Sequence, residues 1–170
     1  MIPIALDPRC TRLAVVGTGE RAARRLAALR AAGADEAQGF PDAPACEPLL
    51  STLHALWIVD LAPDAARGLA ERARAARVLV NVEDSPASCD FHSMAQVRRG
   101  DLLLTVSTAG AAPGLARVIR AHLGARFGEE WGERVALVRR LRDGWRDAGV
   151  APSETARRIE ALATERGWLA

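Results

Sequence analysis

Lysine and tyrosine are both missing from this chain of 170 residues. All 23 basic side chains are therefore arginine, set against 21 acidic ones, for a formal net charge of +2. Without lysine there is no Schiff-base nucleophile and no phosphate-binding P-loop lysine. A net charge this close to zero gives no electrostatic footprint for nucleic acid. Cysteine is sparse and odd in number: Cys10, Cys46 and Cys89 lie too far apart for a disulfide framework or a zinc ribbon. No apolar run approaches the roughly 18 residues of a membrane span. The opening stretch, MIPIALDPRC, has neither a basic leader nor an apolar segment of signal-peptide length. These absences predict a cytoplasmic protein with no nucleic-acid and no membrane partner. The all-arginine usage is what GC-rich coding produces. It also suits bidentate recognition of carboxylates or phosphates.

What is present is an apolar content of 49%, enough for a proper core in one medium domain. RLAVVG (12–17) is a short aliphatic run ending in glycine and predicts a buried strand. Residues 20–34 switch to helical spacing, with Arg on one face, Ala and Leu on the other, and Gly33 as a stop. The stretch 35–48 is rich in Pro, Ala and acid and shows no strong strand pattern. A second buried strand is expected around Leu56–Val59, a helix over 64–77, and a third strand over 78–84. Alternating strands and helices with short connections point to an α/β fold built on a parallel sheet. A further strand is read at 101–107, then a helix over 111–127 with Pro113 in its first turn. Helices over about 129–147 and 153–166 complete a helical tail, the last with Ser153 as its expected N-cap.

Two segments carry chemistry. Gly17-x-Gly19-x-x-Ala22 follows a strand and opens a helix. In that context the first glycine permits a tight turn, the second admits a pyrophosphate, and the small third residue lets helix and strand pack closely. A dinucleotide site also needs an acid at the end of the second strand to hold the ribose. Asp35, Glu36 and Asp42 are the candidates, and the spacing does not choose between them. The second segment, VLVNVEDSPASCDFHS (78–93), begins as a buried strand and ends in reactive side chains. A carboxylate at the C-terminal end of a parallel strand faces the nucleotide crevice. Cys89-x-x-His92 beside Asp84 and Asp90 offers thiolate, imidazole and carboxylate to a divalent metal of borderline softness. The competing reading is a structural or solvated pair at a strand exit.

Taken together, Val16–Ala22, Asn81–Pro86, Phe91–Ala95 and Arg99–Arg120 resemble the dehydrogenase and ferrochelatase module of siroheme synthase. That family reads V-G-G-G-x-V-A, then N-V-x-D-x-P, then F-x-x-P-A, then R-G-x-L leading into S-T-x-G-x-S-P-x-L-A-R-x-I-R. The resemblance implies an intertwined homodimer of three parts: a Rossmann-like NAD-binding domain over 1–82, a dimerisation and active-site segment over 83–115, and a helical domain over 116–170. It implies NAD-dependent oxidation of precorrin-2 to sirohydrochlorin, and insertion of ferrous iron into sirohydrochlorin. Asp84 matches the catalytic base. Gly17, Thr18, Gly19, Glu20, Arg21 and Asp60 fall where NAD is held; Asn81, Ser107, Thr108, Gly110 and Arg117 fall near the tetrapyrrole. Arg98, Arg99 and Arg120 flank the matched motifs and are further candidates for substrate carboxylates.

The chain departs from the pattern in three places. The segment between Gly33 and Leu56 is shorter, VDLA at 59–62 stands in place of A-T-D-D, and Met94 replaces a proline. A chelatase-only relative that has lost NAD therefore stays open, as does a non-catalytic tetrapyrrole-binding protein.

Overall fold

A computed structural model describes residues 2–169. The chain divides after Ser93 into two compact units. The first holds four strands, β1 (Leu13–Val16), β2 (Gln38–Phe40), β3 (Ala55–Ile58) and β4 (Leu79–Val82), all parallel and ordered β2-β1-β3-β4. Helices α1 (Gly19–Ala31), α2 (Ala43–Cys46) and α3 (Pro63–Ala75) occupy the connections. The chain steps one way from β1 to β2 and the other way from β1 to β3. Its topological switch point therefore lies between β1 and β3. This is the Rossmann-like α/β arrangement that the strand and helix periodicities imply.

Strands β1, β3 and β4 are apolar apart from Asn81 because the sheet is covered on both faces there. Ala14, Val16, Leu56, Ile58, Val80 and Val82 point into one layer, against Leu69, Ala70 and Ala73 of α3, Cys46 of α2 and Leu50 beyond it. Leu13, Val15, Ala55, Trp57 and Val59 point into the other, against Ala22 of α1 with Leu26, Leu29 and Phe91. The period-two alternation of β structure sorts one apolar run into two cores.

Where the sequence shows no strand over 35–48, the structure has β2. It is three residues long, pairs with β1 alone and is largely exposed, so burial left no apolar signature. Gly39 stands at its centre, where a methyl group would lie 2.9 Å from Leu26 Cδ2 of α1. Asp42 then caps α2, its carboxylate accepting from Ala45 N at 2.9 Å.

The second unit pairs β5 (Ala95–Arg99) with β6 (Leu102–Val106) as an antiparallel hairpin turning at Gly100. Helices α4 (Pro113–Arg126), α5 (Glu130–Asp147) and α6 (Pro152–Glu165) follow. β5 has no apolar pattern in the sequence because only Val97 of its five residues is buried. Pro113 does open α4. Ser153, however, is inside α6 rather than its cap: Pro152 opens that helix and Ala151 flanks it with no capping side chain. Glu154 instead binds Arg157 and Arg158, and those hydrogen bonds hold its carboxyl below the usual range. No helix among the described residues is long and apolar enough to cross a membrane.

Candidate active site

The C-terminal ends of β1, β3 and β4 deliver three short turns side by side. Backbone bonds extend the ladder past the strands, from Val59 N to Val16 O at 2.9 Å and from Glu83 N to Ile58 O at 3.0 Å. Gly17 leaves β1 at φ 144°, and a methyl group there would stand 2.0 Å from Val59 O. Its lack of a side chain is thus what lets β1 and β3 run this close at the switch point. Gly19, at φ 78°, would place a methyl group in open space. The two glycines therefore have different tasks: the first packs the sheet and the second bares the backbone.

Helix α1 begins at Gly19, and its N-cap Thr18 makes no capping hydrogen bond. The first-turn amides, which have no intrahelical acceptor, are left to a ligand, and the helix dipole favours an anion there. Buried Ala22 packs this turn against the sheet. The donor set fits a dinucleotide pyrophosphate.

Across this turn lies a cluster of charges. Arg21, in the first turn of α1, reaches Asp60 Oδ1 with Nη1 at 2.7 Å and Asp84 Oδ2 with Nη2 at 2.6 Å. The same Nη2 is 3.1 Å from Glu83 Oε2. Arg25, one turn further along, binds Glu83 Oε1 at 2.6 Å. Asp60 and Asp84 both sit at strand exits with left-handed backbones, φ 52° and 60°. Such geometry is sparsely populated outside glycine, persists only where neighbours enforce it, and clusters at functional sites. Asp84 is 79% exposed, so its carboxylate faces solvent on the crevice side. Its hydrogen bond is the main influence raising the Arg21 guanidinium above its usual pKa. Glu83 and Arg25 belong to this cluster, although the sequence reading singled out neither. Their signal was the spacing of Arg21 and Arg25 on one helix face, with an acid pair at the end of β4.

A turn with these glycines, an open helix N-terminus and an acid-lined crevice at the switch point is a dinucleotide arrangement. A family model for NAD(P)-binding domains matches residues 4–95. The chain belongs to that NAD(P)-binding family. Siroheme synthase from Thiobacillus denitrificans is 33% identical over 165 residues, covering 86% of this chain and 34% of that protein. Siroheme synthase 1 from Halorhodospira halophila is 36% identical, covering 83% of this chain and 33% of that protein. The chain thus spans about a third of the length of the curated relatives it matches. Among solved structures, SirC, a precorrin-2 dehydrogenase, superposes with a TM-score of 0.73 at 20% identity, over 100% of this chain and 93% of that one. That likeness establishes the fold.

Within the NAD(P)-binding unit, the remaining candidates have other occupations. Asn81 is buried on β4, and its amide donates to Phe91 O at 2.8 Å. The Cys89 sulfur accepts from Val82 N at 3.2 Å and lies within donating distance of Val82 O and Ser85 O. Burial pushes its thiol pKa up, away from the thiolate that binds metals. His92 is half-buried in the same segment. Among the described residues no group of three His, Cys, Asp or Glu side chains could hold a metal ion. Asp42 alone of the three ribose candidates follows β2, and Asp35 and Glu36 precede it.

In the second unit, the Ser107–Gly110 turn has Ala109 and Gly110 at φ 53° and 83°. Thr108 Oγ1 accepts from Ala112 N at 3.2 Å, closing the turn before α4. Ser107 Oγ accepts from Ala109 N at 3.1 Å. Arg117 and Arg120 stand exposed on α4, and Arg98 is exposed on β5. Arg99 is structural: its guanidinium donates to Phe127 O at 3.0 Å and Gly124 O at 3.1 Å, securing the C-terminal end of α4.

Proposed function

We propose that this chain oxidises precorrin-2 to sirohydrochlorin with NAD, and inserts ferrous iron into sirohydrochlorin as a second activity. The observation that carries this reading is Asp84: an exposed carboxylate on a left-handed strand exit, across the crevice from an open dinucleotide turn. The names of the relatives supply the substrate class. Gly17, Thr18, Gly19 and Glu20 would hold NAD, which when bound supplies the hydride acceptor, while Arg21 in the same turn is engaged by Asp60 and Asp84. Asp84 takes the proton that leaves the macrocycle with that hydride, so that two electrons and two protons are accounted for. In the second activity the iron is substrate, and Asp84 accepts pyrrole N–H protons as the metal enters. The Ser107–Gly110 turn and Arg117 would contact the tetrapyrrole, with arginine pairing its carboxylates.

The reading extends to assembly. Residues 1–82 form the NAD-binding part, 83–115 the dimerisation and active-site segment and 116–170 the helical part of a homodimer. Leu103 on β6 and Leu115, Val118 and Ile119 on α4 are exposed at 36%, 53%, 65% and 37%, an apolar surface suited to a second copy. Sedimentation of the full chain tests this: a monomer at micromolar concentration rejects it.

One observation favours a second reading, a chelatase without NAD. The Asp42 carboxylate, the acid after β2, already caps α2. Titration with NAD separates the two. The primary test compares wild type with Asp84→Asn in precorrin-2 oxidation and iron loading. Loss of both activities in the variant supports the assignment, and equal rates reject it.

A further inference from the structure

Position 21 is Val in the family pattern V-G-G-G-x-V-A, and position 60 falls where A-T-D-D has Thr. In this chain the two residues, Arg21 and Asp60, are each other's partners at 2.7 Å, although they lie 39 positions apart. The second guanidinium nitrogen of Arg21 then holds Asp84 at 2.6 Å. No other side chain among the described residues makes a hydrogen bond or ion pair to Asp84. We propose that Arg21 is a positioning residue for the Asp84 carboxylate, with Asp60 as the anchor that fixes Arg21. The inference rests on Asp84 being the base of the function proposed above.

The physical case is geometric. Asp84 projects from the tip of a turn and is 79% exposed, so a free carboxylate would sample several rotamers. A guanidinium presents its nitrogens in a fixed planar fork, so one anchored nitrogen fixes where the other points. Asp60 enters from the neighbouring strand exit and supplies that anchor. Glu83 is 3.1 Å from the same Nη2 and is itself tied to Arg25, which limits how far Arg21 can swing. A lysine at position 21 would offer rotatable donors on a point charge, so holding Asp60 would not fix where Asp84 is held. The cluster carries one more carboxylate than guanidinium, so removing Arg21 also leaves three acids facing one another.

The test uses the full chain and the variants Arg21→Val, Arg21→Lys, Asp60→Thr and the double variant Arg21→Val/Asp60→Thr. Expected are a roughly tenfold lower kcat for Arg21→Val with little change in KM for precorrin-2, an intermediate value for Arg21→Lys, and about threefold loss for Asp60→Thr. Because Asp60 acts through Arg21, the double variant should be no slower than Arg21→Val alone. Multiplying losses in the double variant, or a change in KM alone, would overturn the proposal. A second readout needs no substrate. Held by two carboxylates, the Arg21 guanidinium should rotate slowly about Nε–Cζ and show resolved Nη signals in 15N NMR, which collapse in Asp60→Thr and in Asp84→Asn. Averaged signals in the wild type reject the bridge even if turnover is found. Resolved signals in a protein that turns over no precorrin-2 sustain the bridge and reject the function.

Discussion

Replacing Gly17 by alanine separates packing from ligand binding more cleanly than any other change in the crevice. The new methyl group would stand 2.0 Å from Val59 O and 3.0 Å from its carbonyl carbon. Val59 is fully buried, and its N–H is bonded to Val16 O at 2.9 Å, so the obstacle is backbone of the central sheet and cannot rotate away. The residue is also at φ 144°, which side chains rarely adopt. Backbone strain of this kind costs about 1–3 kcal/mol and overpacking a further 1–3, so about 4 kcal/mol is expected. With a urea dependence near 2 kcal/mol per molar, the unfolding midpoint should fall by about 2 M. Gly19→Ala is the control. Nothing lies within 4 Å of its methyl group, so only the left-handed penalty at φ 78° applies. That penalty is about 1–2 kcal/mol, or about 0.5–1 M in midpoint. The same methyl group occupies the surface that a pyrophosphate must approach, and NAD affinity should fall at least tenfold. Urea unfolding followed by circular dichroism, and calorimetric titration with NAD, measure the two quantities. Equal midpoints for the two variants would refute the division of labour between these glycines.

Three further outcomes are expected. Asp84→Asn should lower turnover by at least about a hundredfold while leaving the unfolding midpoint within a few tenths of a molar, since its carboxylate is exposed and general-base contributions are of that size; steady-state rates and urea titration check both. Burial pushes the Cys46 thiol from 9.0 to about 11, so the folded state holds that proton more tightly than the unfolded state. The contribution is fully present below pH 9 and lost as pH rises toward about 11, which midpoints measured across that window will show. Cys89→Ala should cost about 1–3 kcal/mol, because Val82 N is left without its sulfur acceptor, and Cys89→Ser should recover part of that loss in the same assay.

Three of the four strands that could be read from sequence lie in the parallel sheet; the fourth, β6, is half-exposed and shows through its Leu102–Leu104 run. β1, β3 and β4 are apolar apart from Asn81 because each sits between two layers of side chains. β2 and β5 are partly solvated, so QGF and AQVRR carry no apolar run to detect. Asp84 was legible through its motif. Its dependence on Arg21 was not, because the partners are 63 positions apart and meet only after three strand exits align. Position 60 was visible as a departure from the family pattern, but a departure in sequence does not say what compensates it. The 2.7 Å contact with Arg21 does.

The same accounting explains why the exit of β4 looks so reactive in sequence. β4 is the last strand of its sheet, so one edge has no neighbour and its backbone donors need other acceptors. Side chains from the returning segment supply them. Asp90 Oδ2 accepts from Val80 N at 2.9 Å, the Cys89 sulfur accepts from Val82 N, and Asn81 holds Phe91 O from the strand side. Arg74 steadies Asp90 at 2.8 Å, and Phe91 meets Trp57 edge-on at 4.9 Å between ring centres. Thiol, carboxylate and amide are all engaged in covering an edge, work that a fifth strand would otherwise do. Asp84 escapes that role because the backbone turns left-handed beneath it and carries its carboxylate out over the crevice. Glu83 and Asp84, the two acids of this segment that meet the arginines of α1, are ones that the edge does not need, and of the two Asp84 is the exposed one.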